Sequence, residues 1–324
     1  MVGVARRYRN PSMHLPRLAA FALFAAATSL SAAELVPDPP KNCSQCAEWN
    51  QPQAPFRLFG NSWYVGTTGL SAVLIASPDG LILLDGGVAE SAPLIAANIE
   101  KLGFRLDQIK LIAVSHAHYD HVGGVAALAR ASGAEVLASE RSAQALQAGT
   151  APADDPQAGF GAKANSFPKV ATVRSVADGE SVRLGKLAIT AHYTPGHTPG
   201  ATSWTWQACD ETAATESAPA CLDLVYADSL NAVSDDTFRF SGNAGKPGIA
   251  DLFRHSIDLV AQLPCDILIP VHPGFAEIDA RLARRAAGAQ PDPFIDRSSC
   301  QRYAQAAREK LDARLAREKA GKTP

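Results

Sequence analysis

Within Ser115-His116-Ala117-His118-Tyr119-Asp120-His121, three imidazoles and a carboxylate fall inside six residues. Crowding such groups desolvates them at a cost that packing alone does not offset, so the segment argues for a metal ion rather than for a core. A solvated polar loop is the plain alternative. The apolar run Leu111-Ile112-Ala113-Val114 comes directly before, so the segment sits at the C-terminal end of a buried strand, where a sheet can aim side chains. Alternation turns His116 and His118 to the same side, and reversal of the chain before the next helix brings Asp120 and His121 to a neighbouring position.

The pattern His-x-His-x-Asp-His resembles the signature of the metallo-β-lactamase superfamily of hydrolases. Two further pieces follow in that superfamily's order, Thr194-Pro195-Gly196-His197-Thr198-Pro199-Gly200 and Pro270-Val271-His272-Pro273-Gly274, and the likeness runs from Gly66-Thr67 and Asp85-Gly86-Gly87 through His272. Of eight histidines, five fall on its ligand positions. His14 lies in the N-terminal leader, His192 reads as a packed or supporting residue on a strand, and His255 as structural on a helix. The resemblance implies an αββα sandwich, two β-sheets face to face with helices outside. It also implies two zinc ions, one held by His116, His118 and His197 and the other by Asp120, His121 and His272. A water or hydroxide between them would be the nucleophile, oriented by Asp120.

The elements that must carry these residues are legible as periodicities. Strand signals cover Arg57 to Val65, Ala72 to Ser77, Leu81 to Leu84, Lys110 to Val114 and Glu135 to Ala138, then Thr172 to Val176, Val182 to Leu184, Leu187 to Tyr193, Thr202 to Gln207, Leu222 to Tyr226 and Asp266 to Val271. Helices are predicted over Ala89 to Leu102, Val122 to Ala131, Ser142 to Gln147, Ile249 to Leu263, Gly274 to Ala287 and Ser299 to Lys319. Helices recur in both halves, so sheets covered on their outer faces are the natural architecture. Gly149 to Val170 lacks periodicity and reads as a lid or binding loop.

The chain has 324 residues, 47% hydrophobic and 19% charged, which suits a globular protein with a sizeable core. Arg6, Arg7, Arg9 and Arg17 precede an uncharged apolar run, Leu18 to Leu30, and Ser31-Ala32-Ala33 supplies small residues for cleavage. Residues 1–33 thus read as a signal peptide ahead of a single domain, 34–324, and the expected compartment is the periplasm. The apolar run is too short for a membrane anchor, and Met13 is a second possible start. Cleavage removes four arginines and no acid, taking the formal charge from −2 to −6. Such a surface disfavours nucleic acid. Six cysteines in an exported chain favour disulfides. Cys209–Cys221 would close a hairpin around the polar stretch Asp210 to Ala220, and Cys265–Cys300 would tie the last helix to the sheet. Cys43 and Cys46 remain as a short ring or a metal-binding pair.

Substrate is the open question, because glyoxalase II, lactonases, alkylsulfatases and RNA-processing nucleases share the motif. Histidine at the positions matching His116 and His121 resembles β-lactamases of subclass B3, as does Tyr226-Ala227-Asp228-Ser229-Leu230-Asn231. On that resemblance Ser229 and Asn231 would bind the antibiotic carboxylate, while a thioesterase-like alignment would make Asp228 a bridging ligand. Export favours the first reading: a monomeric, periplasmic, dizinc β-lactamase acting on penicillins, cephalosporins and carbapenems. An exported hydrolase of another ester, thioester or lactone, and a non-catalytic zinc module, are the alternatives.

Overall fold

Along the central strands both faces are apolar, and alternate residues serve different layers. In β3 (Val73–Ser77) and β4 (Gly80–Leu84), Val73, Ile75, Ile82 and Leu84 enter one core, while Leu74, Leu81 and Leu83 enter another. A strand buried on both sides needs such a continuous apolar run. The second core lies under helices Ala92–Lys101, Val125–Ser132 and Glu140–Ala148, to which it contributes Ile95, Leu128 and Leu146. The first core is shared with a second sheet and reaches helices Ala250–Gln262 and Ser299–Lys319 through Phe253, Ile257, Tyr303 and Leu311. Helices therefore flank two sheets, the αββα arrangement expected. The structure, a computed structural model, describes residues 1–5, 34–210, 221–243 and 245–321. Most of the proposed leader and of the Asp210 to Ala220 stretch lies outside them. Among the described residues, no helix is long and apolar enough to cross a membrane.

The first sheet has seven strands in chain order: β1 (Phe56–Phe59), β2 (Ser62–Tyr64), β3, β4, β5 (Ile109–Ala113), β6 (Glu135–Ala138) and β7 (Val173–Ser175). It is antiparallel up to β4 and parallel from β4 to β7. The second sheet is an antiparallel run of β8 (Ser181–Leu184), β9 (Leu187–Tyr193), β10 (Thr202–Cys209) and β11 (Cys221–Ala227). The strand Ile267–Pro270 is added parallel to β11 at its edge.

At one end the two sheets are joined directly by hydrogen bonds. Thr202 N donates to Ser115 O (2.8 Å), and Trp204 Nε1 to Val114 O (3.0 Å). Ser71 donates through its amide to Val271 O (2.9 Å) and through its hydroxyl to Pro270 O (2.7 Å). These are the loops and strand ends that carry the histidines.

Three elements are shorter than their periodicity suggests. The run Arg57 to Val65 is a hairpin, because Gly60 takes a left-handed φ of 53° and turns the chain. The helix expected from Val122 breaks into Tyr119–Val122 and Val125–Ser132 around Gly123-Gly124. Gly274 to Ala287 divides at Glu277, whose φ is 52°, into a 3₁₀ turn and the helix Ile278–Ala286. All six cysteines are paired as Cys43–Cys46, Cys209–Cys221 and Cys265–Cys300. Cys209 and Cys221 face each other in the β10–β11 register, and Cys43–Cys46 is the short ring.

Candidate metal centre

Strand ends supply the site from both sheets. After β5 the chain bends at Ser115 and again at His118, then enters the short helix Tyr119–Val122, which carries Asp120 and His121. His197 comes from the β9–β10 connection, and His272 lies two residues beyond Pro270, the last residue of the edge strand. At Gly196 a Cβ would lie 2.1 Å from the Phe253 ring, so only glycine lets this loop seat against the helix and present His197.

The ligand atoms of His116, His118 and His197 lie within 4.8 Å of one another, and so do those of His116, Asp120 and His121. All five residues are buried. Asp120 Oδ2 stands 3.2 Å from His121 Nε2 and 3.4 Å from His272 Nε2, so the carboxylate links these two imidazoles. Six residues, separated by up to 156 positions in the chain, are thus gathered as the sequence motifs implied. His192 is elsewhere, its Nε2 2.8 Å from Thr205 Oγ1, and His255 is exposed on its helix.

Each imidazole of the first group is held from outside. His116 Nδ1 meets Asp228 Oδ1 at 2.6 Å, His118 Nε2 meets the Asp155 carboxylate at 3.1 and 3.2 Å, and His197 Nδ1 donates to Asn231 O at 2.8 Å. Burial, with neighbouring imidazoles adding to it, drives His116 well below the usual histidine range and His197 down to about 3. Both are therefore neutral, the form in which imidazole ligates a metal. Burial opposes the Asp120 charge, yet His121 and His272 hold its carboxyl well below the usual range; Asp120 in turn raises His121 despite that residue's own burial.

The donor set fits a metal. Among the described residues, His116 Nε2 and both His121 nitrogens are buried without a hydrogen-bond partner, an expensive state for polar atoms unless something coordinates them. Three neutral imidazoles, and two imidazoles with a carboxylate, are donor sets suited to zinc. Asp228 points one oxygen at His116 Nδ1 and is fully buried. Burial pushes its carboxyl well above the ordinary range.

Two supporting carboxylates were not singled out by sequence reasoning. Asp85 accepts from Ser115 N, Ser115 Oγ and Tyr226 OH at 2.6–2.9 Å and stands 3.7 Å from His121 Nδ1; its place in Asp85-Gly86-Gly87 was the available signal. Asp155 sits in the aperiodic loop, where no spacing marks it.

A cavity of about 930 Å3 opens over the centre, lined by His118, Asp120, His197 and His272 together with Ser229 and Asn231. Exposed apolar groups, Phe160, Val233 and Phe275, stand on its walls.

The family model for the metallo-beta-lactamase superfamily matches residues 65–272. Among solved structures, Rm3 metallo-beta-lactamase is 48% identical, covering 86% of this chain and 99% of that one with a TM-score of 0.80. MEM-A1, a subclass B3 metallo-beta-lactamase isolated from a soil metagenome library, is 49% identical, covering 85% of this chain and 100% of that one with a TM-score of 0.77. A hydroxyacylglutathione hydrolase of Cereibacter sphaeroides (strain ATCC 17025 / ATH 2.4.3) is 29% identical over 198 residues, which are 60% of this chain and 59% of that protein. The chain thus spans about three fifths of that hydrolase's length, against nearly the whole of the two β-lactamases. On fold, motif order and these likenesses, the chain belongs to the metallo-beta-lactamase superfamily, and within it resembles the subclass B3 enzymes.

Proposed function

We propose that the protein is a zinc-dependent β-lactamase that opens the lactam ring of penicillins, cephalosporins and carbapenems. The observation that carries this reading is the shared cavity: four of the candidate ligands, His118, Asp120, His197 and His272, and a hydroxyl–amide pair, Ser229 and Asn231, line one space. A bicyclic β-lactam presents a carboxylate next to its lactam nitrogen, so donors are needed beside the reacting amide.

His116, His118 and His197 would hold one zinc ion, and Asp120, His121 and His272 a second. Zinc there would polarise the lactam carbonyl and draw the pKa of water towards neutrality. Asp120 Oδ2 faces His121 and His272, which leaves Oδ1 to orient the water for attack. The water's oxygen bonds to the carbonyl carbon, the C–N bond breaks, and the nitrogen takes up a proton given up by that water, leaving a carboxylate at the former carbonyl. Ser229 Oγ and the Asn231 amide would donate to the substrate carboxylate and fix its approach. The buried walls of the first group keep His116 and His197 neutral throughout.

Thioester hydrolysis is the second reading, favoured by the likeness to hydroxyacylglutathione hydrolase. Near-complete coverage of the β-lactamases, at higher identity, supports the first. The arginine-then-apolar leader and three disulfides support export to the periplasm, with the monomer acting there.

Purified protein is assayed with nitrocefin and a carbapenem before and after EDTA, with a thioester and a homoserine lactone alongside. Hydrolysis of both lactams, lost on chelation and restored by zinc, is expected. Turnover of the thioester or lactone with neither lactam would overturn the assignment.

A further inference from the structure

The loop between Gly149 and Val170 reaches into the metal centre with a single buried carboxylate. Asp155 is 2% exposed, and both its oxygens lie within 3.2 Å of His118 Nε2. Its own position is fixed locally: Gln157 N donates to Oδ1 at 2.8 Å, and Asp155 N donates to Pro152 O at 3.0 Å.

The loop is in turn fastened to the rest of the molecule at two further points. Asp235, in the segment after Ser229 and Asn231, accepts from Gly159 N at 3.0 Å and donates its amide to Pro156 O at 2.9 Å. A Cβ at Gly159 would come within 2.4 Å of the Asp235 carboxyl carbon, so this contact requires glycine. At the far end, Lys41 Nζ donates to Lys163 O at 2.7 Å and to Ser166 O at 2.6 Å. Both anchors fasten the stretch of loop that follows Asp155, the first at Pro156 and Gly159 and the second at Lys163 and Ser166.

We infer that Asp155 is a positioning residue of the metal centre, and that the loop is a structural part of that centre rather than a cover over it. The inference rests on the zinc reading of His116, His118 and His197. His118 has two nitrogens, and the Asp155 carboxylate accepts a hydrogen bond from Nε2–H, which fixes the proton on that nitrogen. Nδ1 is then the unprotonated nitrogen available to a metal, and the ring cannot rotate without breaking a charge-assisted hydrogen bond. Carboxylates that orient ligating histidines in this way commonly strengthen metal binding by roughly 10- to 100-fold.

The test measures zinc binding, independently of turnover. Metal-depleted full-length protein and its Asp155→Ala and Asp155→Asn variants are titrated with zinc against a chromophoric chelator, and the visible spectrum of each cobalt-substituted form is recorded. Asp155→Ala should weaken one of two zinc-binding steps by roughly 10- to 100-fold and shift the cobalt bands of that step. Asp155→Asn keeps the shape and one acceptor but loses the charge, so it should fall between wild type and alanine. If the alanine variant does not fold, the asparagine variant decides alone, by several-fold weaker binding. Unchanged affinity and cobalt spectrum in a folded variant would overturn the inference. Failure of the wild type to bind zinc would instead overturn the underlying zinc reading, and this inference with it.

Discussion

The two ligand groups, a few ångströms apart, are built on different principles. His116, His118 and His197 are each fixed by a partner outside the cavity, namely Asp228, Asp155 and the Asn231 carbonyl, and contain no anion among themselves. Asp120, His121 and His272 hold together through their own carboxylate, and neither ring nitrogen of His121 has a hydrogen-bond partner among the described residues. The first group is organised from behind by the fold. The second is organised from within by charge, so one substitution should loosen it most.

Removing metal from both groups gives the largest effect: activity should fall to the uncatalysed background with EDTA and return with added zinc, as followed by nitrocefin hydrolysis. Retained activity in a protein shown by elemental analysis to be metal-free would refute the mechanism. Next in size are single substitutions that separate the groups. Asp120→Asn, which removes the internal charge, should lower kcat by roughly 10²- to 10⁴-fold and reduce bound zinc from two ions towards one. His197→Ala should instead lower occupancy of the other site, and near-normal kcat in either variant would show that the residue is misassigned.

Smaller, and confined to substrate, is the combined change Ser229→Ala with Asn231→Ala. Because Asn231 anchors His197 through its backbone carbonyl, the truncation leaves that contact in place. KM for carboxylate-bearing lactams should rise by an amount worth about 1–3 kcal/mol with two zinc ions still bound. Loss of a zinc ion would mean the segment ligates metal. Least effect on catalysis is expected from Cys265→Ala with Cys300→Ala, since that disulfide supports neither group. Stability should fall by about 2–4 kcal/mol in denaturant titration while kcat/KM stays within about twofold. A large loss of activity in folded protein would show that the helix Ser299–Lys319 shapes the centre.

The difference between the groups also explains what could be read from sequence. His116, His118, Asp120 and His121 stand together in one short segment after an apolar strand, and His197 and His272 sit in Gly- and Pro-marked turns; local pattern, with the resemblance it carries, was enough to single out all six as candidates. The layers were equally accessible, because alternation in β3 and β4 assigns each residue to a face. What local pattern missed is what holds the first group from behind. Asp155 is 37 residues from His118 in sequence and lies in a stretch without periodicity, so its role exists only through tertiary contact. Asp228 was noticed as a possible metal bridge, but its hydrogen bond to His116 depends on how β11 meets the end of β5. Element boundaries were lost where the backbone turns left-handed, at Gly60 and Glu277, since Glu277 is not a residue type that announces such a turn.

The hydrogen bonds that join the two sheets beneath the histidines have a consequence for how the molecule opens. Thr202 N and Ser71 N are bonded across the sandwich, to Ser115 O and Val271 O, so neither amide can be released by fraying a single strand. They are freed only when the sheets part, an event that disrupts the shared core with them. In native-state hydrogen exchange these two amides should be among the slowest, exchanging with the free energy of global unfolding. In the small hairpin Gly242–Asn243 and Lys246–Pro247, the amides of Asn243 and Lys246 make no such bond to either sheet among the described residues and should exchange by local fluctuation. The most protected part of the backbone is then the part that carries the chemistry, and thermal motion should spread the far edges of the sandwich before it disturbs the histidines.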